Sequence, residues 1–352
     1  MSIKINNDVI FDYSKPPLII AEISSNHNGS KKKFLELINA AYDNKADLVK
    51  IQTYEPEDIT FDNNNRKFLI KKGIWKGENL WDLYQKAHTP FSWHVDAFKL
   101  AKKRKKILFS TPFSIRALNF LKKFNPQLYK VSSFEITDLN LIKEIAKTKK
   151  PIILSTGASK VSEISSAIKI IKKFHNKIIL LHCVSSYPTQ IEDANIRRIN
   201  FLKKKFKKCL IGLSDHTPSI SSSLSATAIG VVAIEKHIKL NENSKSEDSD
   251  FSLSVKNLRE LKKISKEIFL SLKSTSAKMK INKIELGNKI YRRSIYASKN
   301  IKNGDIISAD NIKTLRPKIG ISANQYDNIL GMQITKDIKK DQPIYKKILK
   351  NT

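Results

Sequence analysis

Two short motifs, Ser214-Asp-His216 and Glu235-Lys-His237, each finish an apolar run with an imidazole. If those runs are neighbouring strands, His216 and His237 can ligate one divalent ion, with oxygen ligands or water completing its shell. Such an ion acts as a Lewis acid. Lys50 and Lys130 also stand where apolar runs end. A lysine buried without an anion is costly, so an anionic ligand is their natural partner. Ser133, Ser155, Ser185 and Ser214 lie at further run ends and would offer hydroxyl and backbone donors to a phosphate and a carboxylate. Glu22 and Glu135 are the candidates for general acid–base work; the alternative for either is a buried ion pair with Lys50 or Lys130.

These residues need a scaffold that brings distant segments to one place. Eight apolar runs supply it: 18–24, 47–53, 107–111, 128–133, 151–156, 178–185, 210–216 and 231–237. Near-continuous β-branched and Leu runs suit strands buried on both faces, as in an all-parallel sheet. Amphipathic helix-length segments lie between them, the first beginning after Ser30 as N-cap. Eight such alternations predict a (β/α)8 TIM barrel, whose chemistry sits at the C-terminal strand ends. Those ends also carry Gln52, Thr111, Asp215 and Glu235. A long insertion, residues 54–90, holds Trp75, Trp81 and Tyr84 and is expected to form a lid or substrate wall. Cys183 lies within a strand pattern and reads as a small core residue. After residue 273 the pattern changes. A polar, Lys-rich linker (274–289) leads to a small β-rich domain (290–352) punctuated by Pro317, Gly320, Gly331 and Pro343.

At 352 residues the chain is long enough for a barrel and a smaller domain. No apolar run reaches the length of a membrane span, and the first residues lack the apolar core of a signal peptide. Two cysteines make no disulfide framework. The expectation is a cytoplasmic protein without a membrane partner. The net charge of +32 invites a nucleic-acid reading. Yet the lysine runs recur on the polar faces of several predicted helices, and no aromatic stacking motif is interleaved with them. Drift toward Lys, Ile and Asn codons accounts for the charge, so no nucleic-acid partner is expected.

The sequence resembles the sialic acid synthase family over nearly its whole length. The resemblance is carried by Ala21-Glu-Ile-Ser-Ser-Asn-His-Asn-Gly29, Val49-Lys-Ile-Gln-Thr-Tyr54, Phe109-Ser-Thr-Pro-Phe113, Tyr129-Lys-Val-Ser-Ser133, Leu154-Ser-Thr-Gly157, Leu181-His-Cys-Val-Ser-Ser-Tyr-Pro188, Gly212-Leu-Ser-Asp-His216 and Glu235-Lys-His237. Leu80-Trp-Asp-Leu-Tyr84, Ala87-His-Thr-Pro-Phe-Ser-Trp-His94 and Asp248-Ser-Asp-Phe-Ser-Leu253 are similar to its pseudaminic acid branch. Arg292-Arg-Ser294 and Leu315-Arg-Pro317 resemble that branch's C-terminal antifreeze-like (SAF) domain.

The resemblance implies a transferase that condenses phosphoenolpyruvate with an open-chain N-acetylated amino sugar and water, releasing phosphate. It implies Mn2+ or Mg2+ on His216 and His237. It assigns phosphoenolpyruvate to Lys50, Gln52, Thr111, Lys130, Ser133, Ser155, Ser185 and Ser214, the sugar to Glu22, Tyr187, Asp248 and Arg316, and water activation to Glu135. It also implies a domain-exchanged homodimer in which Arg316 reaches the partner's barrel. One departure is Lys318 after Pro317, where the family commonly has Gly; a left-handed backbone there would be strained. Within the class, the rival products are N-acetylneuraminate and legionaminate. From other classes, the rivals are a basic nucleic-acid-binding protein, which would show steeply salt-dependent binding, and a barrel that has lost catalysis.

Overall fold

A computed structural model describes residues 1–273 and 281–351. The chain divides into two compact units, Met1–Ser274 and Thr275–Thr352; residues 274–280 of the expected linker lie outside the described residues.

The first unit opens with a hairpin, β1 (Ser2–Lys4) and β2 (Ile10–Asp12), which the sequence reading did not anticipate. Then come β3 (Leu18–Glu22), α1 (Lys31–Asp43), β4 (Leu48–Thr53), α2 (Leu80–Ala87), α3 (Phe91–Lys103), β5 (Ile107–Pro112) and α4 (Ile115–Lys122). They are followed by β6 (Tyr129–Val131), α5 (Leu139–Lys147), β7 (Ile152–Ser155), α6 (Val161–Lys172), β8 (Ile178–His182) and α7 (Arg198–Lys205). The unit ends with β9 (Leu210–Asp215), α8 (Ser221–Ile229), β10 (Ala233–Lys239), β11 (Leu253–Ser254) and α9 (Val255–Ser271). Strands β3 to β10 pair in parallel in chain order, and β10 pairs back onto β3, closing an eight-stranded TIM barrel.

Side-chain alternation along each strand builds two cores. Ile19, Val49, Ile51, Leu108, Tyr129, Val131, Ile152, Leu154, Leu180, Ile211 and Ile234 face outward and pack against helix faces such as Phe34, Leu37, Ile38 and Ala41 of α1. Leu18, Ile20, Leu48, Ile107, Phe109, Leu128, Ile153, Ile179, Leu181, Leu210 and Ala233 point inward. Ile3, Val9 and Phe11 of the hairpin join that inner cluster. Each such buried Leu, Ile or Phe contributes roughly 1.5–3 kcal/mol of transfer free energy. The helix start read from the sequence holds: Ser30 accepts a hydrogen bond from the Lys33 N–H and caps α1.

The second unit is small and β-rich. Antiparallel β12 (Ser294–Ala297) and β13 (Ile312–Leu315), the short helix α10 (Tyr326–Ile329), and antiparallel β14 (Gln333–Ile334) and β15 (Leu349–Lys350) enclose an isoleucine core that includes Ile295, Ile301, Ile312, Ile334 and Ile344. Gly320 is required by space, since a Cβ there would lie 2.3 Å from the Ile344 carbonyl oxygen. Lys318 is not among the residues with left-handed backbone, so the departure at this turn brings no strain.

Candidate active site

The parity that buries Leu18 and Ile20 inside the barrel carries on to the strand ends. On the inner face it continues to Glu22 in β3, Lys50 and Gln52 in β4, Thr111 in β5, Lys130 in β6, Ser155 in β7, Ser214 and His216 in and after β9, and Glu235 and His237 in β10. The cavity they surround holds about 410 Å3. Lys50, Gln52, Lys130, Ser133, Glu135, Ser155, Tyr187, Ser214, His216, His237 and Asp248 line it. Three expected residues stand just behind that lining. Glu22 is fully buried and ion-paired with Lys50. Thr111 accepts a long hydrogen bond, 3.5 Å, from Lys50 Nζ. Ser185 Oγ is buried without a hydrogen-bond partner beside Gly157. A Cβ on Gly157 would meet Ser185 Oγ at 2.1 Å, Cys183 Sγ at 2.8 Å and Ser133 Oγ at 2.9 Å. Only glycine lets these three side chains converge. The fourth exception, Arg316, is exposed in the second unit.

The lysines are charge-paired within the barrel. Lys130 Nζ lies 3.1 Å and Lys50 Nζ 3.7 Å from Glu235 Oε1, and Ser214 Oγ donates to the same oxygen at 2.9 Å. Burial opposes the Glu235 charge, but the Lys130 and Lys50 ammonium groups outweigh it and hold the carboxyl down to about 2. Burial lowers Lys130 despite Glu235. For Lys50, burial acts in the same direction, yet Glu22 and Glu235 more than offset it and raise its pKa. The alternative of a buried ion pair holds for Glu22, which pairs with Lys50, while Glu135 forms no ion pair with either lysine. Glu135 sits in the turn after β6, and burial pushes its carboxyl up to about 7. That value suits a group exchanging a proton near neutrality.

The residues fit a divalent ion. His216 Nδ1 lies 2.9 Å from the Val184 carbonyl oxygen. A carbonyl only accepts, so Nδ1 carries the proton and Nε2 keeps its lone pair. Burial, with His237 alongside, drops the His216 pKa to about 3, so the ring is neutral. The two imidazole rings are 5.5 Å apart. His237 Nδ1 is buried without a hydrogen bond, 3.4 Å from Asp248 Oδ2. Burial opposes the Asp248 charge, but His237, Ser24 and the Ser25 N–H outweigh it and keep the carboxyl below its ordinary range. Among the described residues no three His, Cys, Asp or Glu side chains gather as a metal cage. An ion on His216 and His237 would therefore take its other ligands from water or substrate.

The outer face of the same strands fixes this geometry. Asp215 and Lys236 are direct partners in the β9–β10 register. They form a buried ion pair at 3.1 Å, with Lys236 also bonded to the Thr217 and Ser219 carbonyls. Asp215 accepts further bonds from Thr217 and Ser223.

Trp75, Tyr187 and Phe251 wall the cavity beside the histidines. Tyr187 lies 4.4 Å from the His216 ring, Phe251 4.9 Å from His237, and Trp75 5.8 Å from Tyr187. Trp75 Nε1 donates to the Glu247 carbonyl at 3.1 Å, tying the insertion to the loop after β10. Two tryptophans of the branch-like motifs do not reach the cavity. Leu80, Leu83, Tyr84 and Ala87 form the cavity-facing stripe of α2, which turns Trp81 away. Trp93 packs instead against His27 and Phe34. Sequence reasoning placed Glu235 at a strand end and Trp75 in an expected lid or substrate wall without giving either a role, and left Phe251 and Cys183 out of the site. Cys183 is buried as expected, but its Sγ lies 3.0 Å from Ser133 Oγ, at the site's edge. For Glu235 the signal was present, since it stands two residues before His237 and so shares its strand face.

A closed parallel barrel with lysines, carboxylates and an imidazole pair at one mouth is the architecture of a barrel enzyme acting on anionic substrates. Residues 37–277 match the NeuB family and residues 292–350 match the SAF domain. The chain belongs to the NeuB family. It is 40% identical to the pseudaminic acid synthase of Campylobacter jejuni, over 94% of this chain and 95% of that one. It is 35% identical to the N,N'-diacetyllegionaminic acid synthase of the same species, over 94% and 99%. Among solved structures, an N-acetylneuraminic acid synthetase from Leptospira borgpetersenii, crystallised with citrate, superposes with a TM-score of 0.72 at 30% identity, covering 82% of this chain and 95% of that one. No helix among the described residues is long and apolar enough to cross a membrane.

Proposed function

We propose that this chain is a nonulosonic acid synthase. It joins phosphoenolpyruvate to the aldehyde carbon of an open-chain N-acetylated amino sugar, adds water and releases phosphate by C–O cleavage. The observation that carries this reading is the meeting of Lys50 and Lys130 with His216 and His237 around one cavity. Lys50 and Lys130 hold the anionic groups of phosphoenolpyruvate, with Gln52, Thr111, Ser133, Ser155, Ser185 and Ser214 as hydrogen-bond partners. His216 and His237 would hold Mn2+ or Mg2+, which supplies Lewis-acid polarisation of the sugar carbonyl. Glu22, Tyr187 and Asp248 orient the sugar hydroxyl and acetamido groups. Glu135 takes a proton from the water that adds to the former enol carbon, and Trp75 and Phe251 keep bulk water from the reacting carbons. Phosphate release from phosphoenolpyruvate and Mn2+ with a panel of amino sugars tests the reading. No release with any sugar rejects it.

Within the family we favour pseudaminic acid as product, from 2,4-diacetamido-2,4,6-trideoxy-altrose. The aromatic wall and the higher identity to a pseudaminic acid synthase support that choice. A 6-deoxy sugar with a second acetamido group suits an apolar, aromatic surface better than a polyol does. Its kcat/KM should exceed that for N-acetylmannosamine by about 10-fold to 200-fold, the usual reach of one or two such contacts. Equal or better turnover of N-acetylmannosamine, or of the legionaminate precursor, reassigns the product.

The working unit we propose is a domain-exchanged homodimer. Arg316 is exposed and makes no ion pair among the described residues. It would close the partner's site over the sugar. Arg316→Ala and His216→Ala chains should each be nearly inactive alone. Unfolded and refolded together, they should recover partial activity, because the heterodimer has one intact barrel facing one intact Arg316. Heterodimers that form without recovery show that the Arg acts in its own chain or not at all.

A further inference from the structure

Glu235 has no part in the chemistry above, yet it occupies the centre of it. One of its oxygens, Oε1, collects Lys130 Nζ at 3.1 Å, Ser214 Oγ at 2.9 Å and Lys50 Nζ at 3.7 Å. Its other oxygen, Oε2, is buried with no hydrogen-bond partner. The three groups meeting at Oε1 are those that the proposed function gives to phosphoenolpyruvate. With Glu22 on Lys50, the cavity sets two ammonium groups against two carboxylates. A trianionic substrate entering it meets no excess positive charge from these four side chains.

Resting on that functional reading, we propose that Glu235 is a resident counter-anion, a positioning residue that substrate displaces. In the empty site two buried ammonium groups would repel one another and turn apart. Glu235 holds both, through one oxygen, at the place where the substrate's anionic groups will lie. When phosphoenolpyruvate arrives, its oxygens take over Lys130 and Lys50, and Glu235 becomes a nearby like charge. The carboxylate therefore keeps the lysines aligned while opposing ground-state binding. A group that weakens the bound ground state leaves more of the interaction to develop in the transition state. The same repulsion should speed the departure of phosphate.

Glu235→Gln separates this role from a merely structural one, because the two move affinity in opposite directions. The amide keeps the side chain's size and can still accept from Ser214, but it loses the charge. Calorimetric titration with phosphoenolpyruvate, and separately with inorganic phosphate, should give Kd values lower than wild type by about 5-fold or more for both ligands. In turnover, KM for phosphoenolpyruvate and kcat should fall together, while KM for the sugar stays unchanged. An unchanged or weakened Kd in folded Glu235→Gln protein overturns the proposal. If that variant does not fold, a crystal structure of the wild-type protein with inorganic phosphate decides. Transfer of Lys130 Nζ from Glu235 to a phosphate oxygen supports the inference, and retention of the Lys130–Glu235 bond beside bound phosphate overturns it. A wild-type protein that binds no phosphoenolpyruvate removes the functional reading itself. Wild-type binding with weaker Glu235→Gln binding removes this inference alone.

Discussion

Replacing His216 or His237 by alanine should abolish turnover and Mn2+ binding together, with the barrel still folded. Both rings sit at strand ends above the inner core rather than in it. The expected loss is roughly 10^3-fold or more in kcat, since Lewis-acid polarisation supplies several kcal/mol of barrier reduction. Mn2+ binding followed by paramagnetic resonance gives a readout independent of activity. Circular dichroism and the thermal midpoint should stay close to wild type. Full activity of the chelated, metal-free protein would remove the metal from the mechanism.

The second large effect belongs to Glu135. Burial holds its carboxyl up to about 7, and as a base it works only when ionised. The kcat/KM profile should therefore rise through pH 7 and level off above it. Glu135→Gln should lose about 10^2-fold to 10^4-fold in rate, the usual worth of a positioned proton acceptor, together with that limb of the profile. Stability should change in the opposite sense. A folded-state pKa above the unfolded value favours the native state at low pH, and that contribution is lost as pH rises through 7. From the ordinary carboxyl value to about 7 the loss amounts to roughly 3 kcal/mol. The neutral glutamine escapes it, so the variant should melt higher than wild type at pH 8 and about equally at pH 5. A flat wild-type profile, or a variant that keeps the limb, would assign the base elsewhere.

The barrel was legible because its strands are buried on both faces and read as unbroken apolar runs, with helices of clear period between them. The hairpin at residues 2–12 was not, because strands of three residues leave no pattern to count. Helix α2 was hidden for a similar reason: two turns inside a long insertion carry too few apolar positions to fix a phase. In the site, residues on the inner strand face could be placed by counting in twos from the apolar core. Glu235 obeys that count as fully as His237 does. Trp75 and Phe251 do not, since both come from segments outside the barrel strands, and only tertiary folding brings them to the histidines. Trp81 shows the converse, because a motif can mark a helix without telling which of its faces looks inward.

Three lysines are buried among the described residues, and each has a carboxylate against it: Lys50 with Glu22, Lys130 with Glu235, Lys236 with Asp215. The excess of 32 positive charges is thus carried almost wholly by solvent-facing side chains. The molecule amounts to a cationic shell around a centre in which each buried lysine is matched by a carboxylate and Asp248 is a fourth buried acid. Mobile ions reach the shell and damp its field within about 10 Å at ordinary ionic strength, whereas the buried pairs are screened much less. Salt will therefore act on how fast an anionic substrate is gathered from solution, and hardly at all on what happens once it lies among the strand ends. A chain rich in lysine outside leaves no buried lysine without a carboxylate among the described residues.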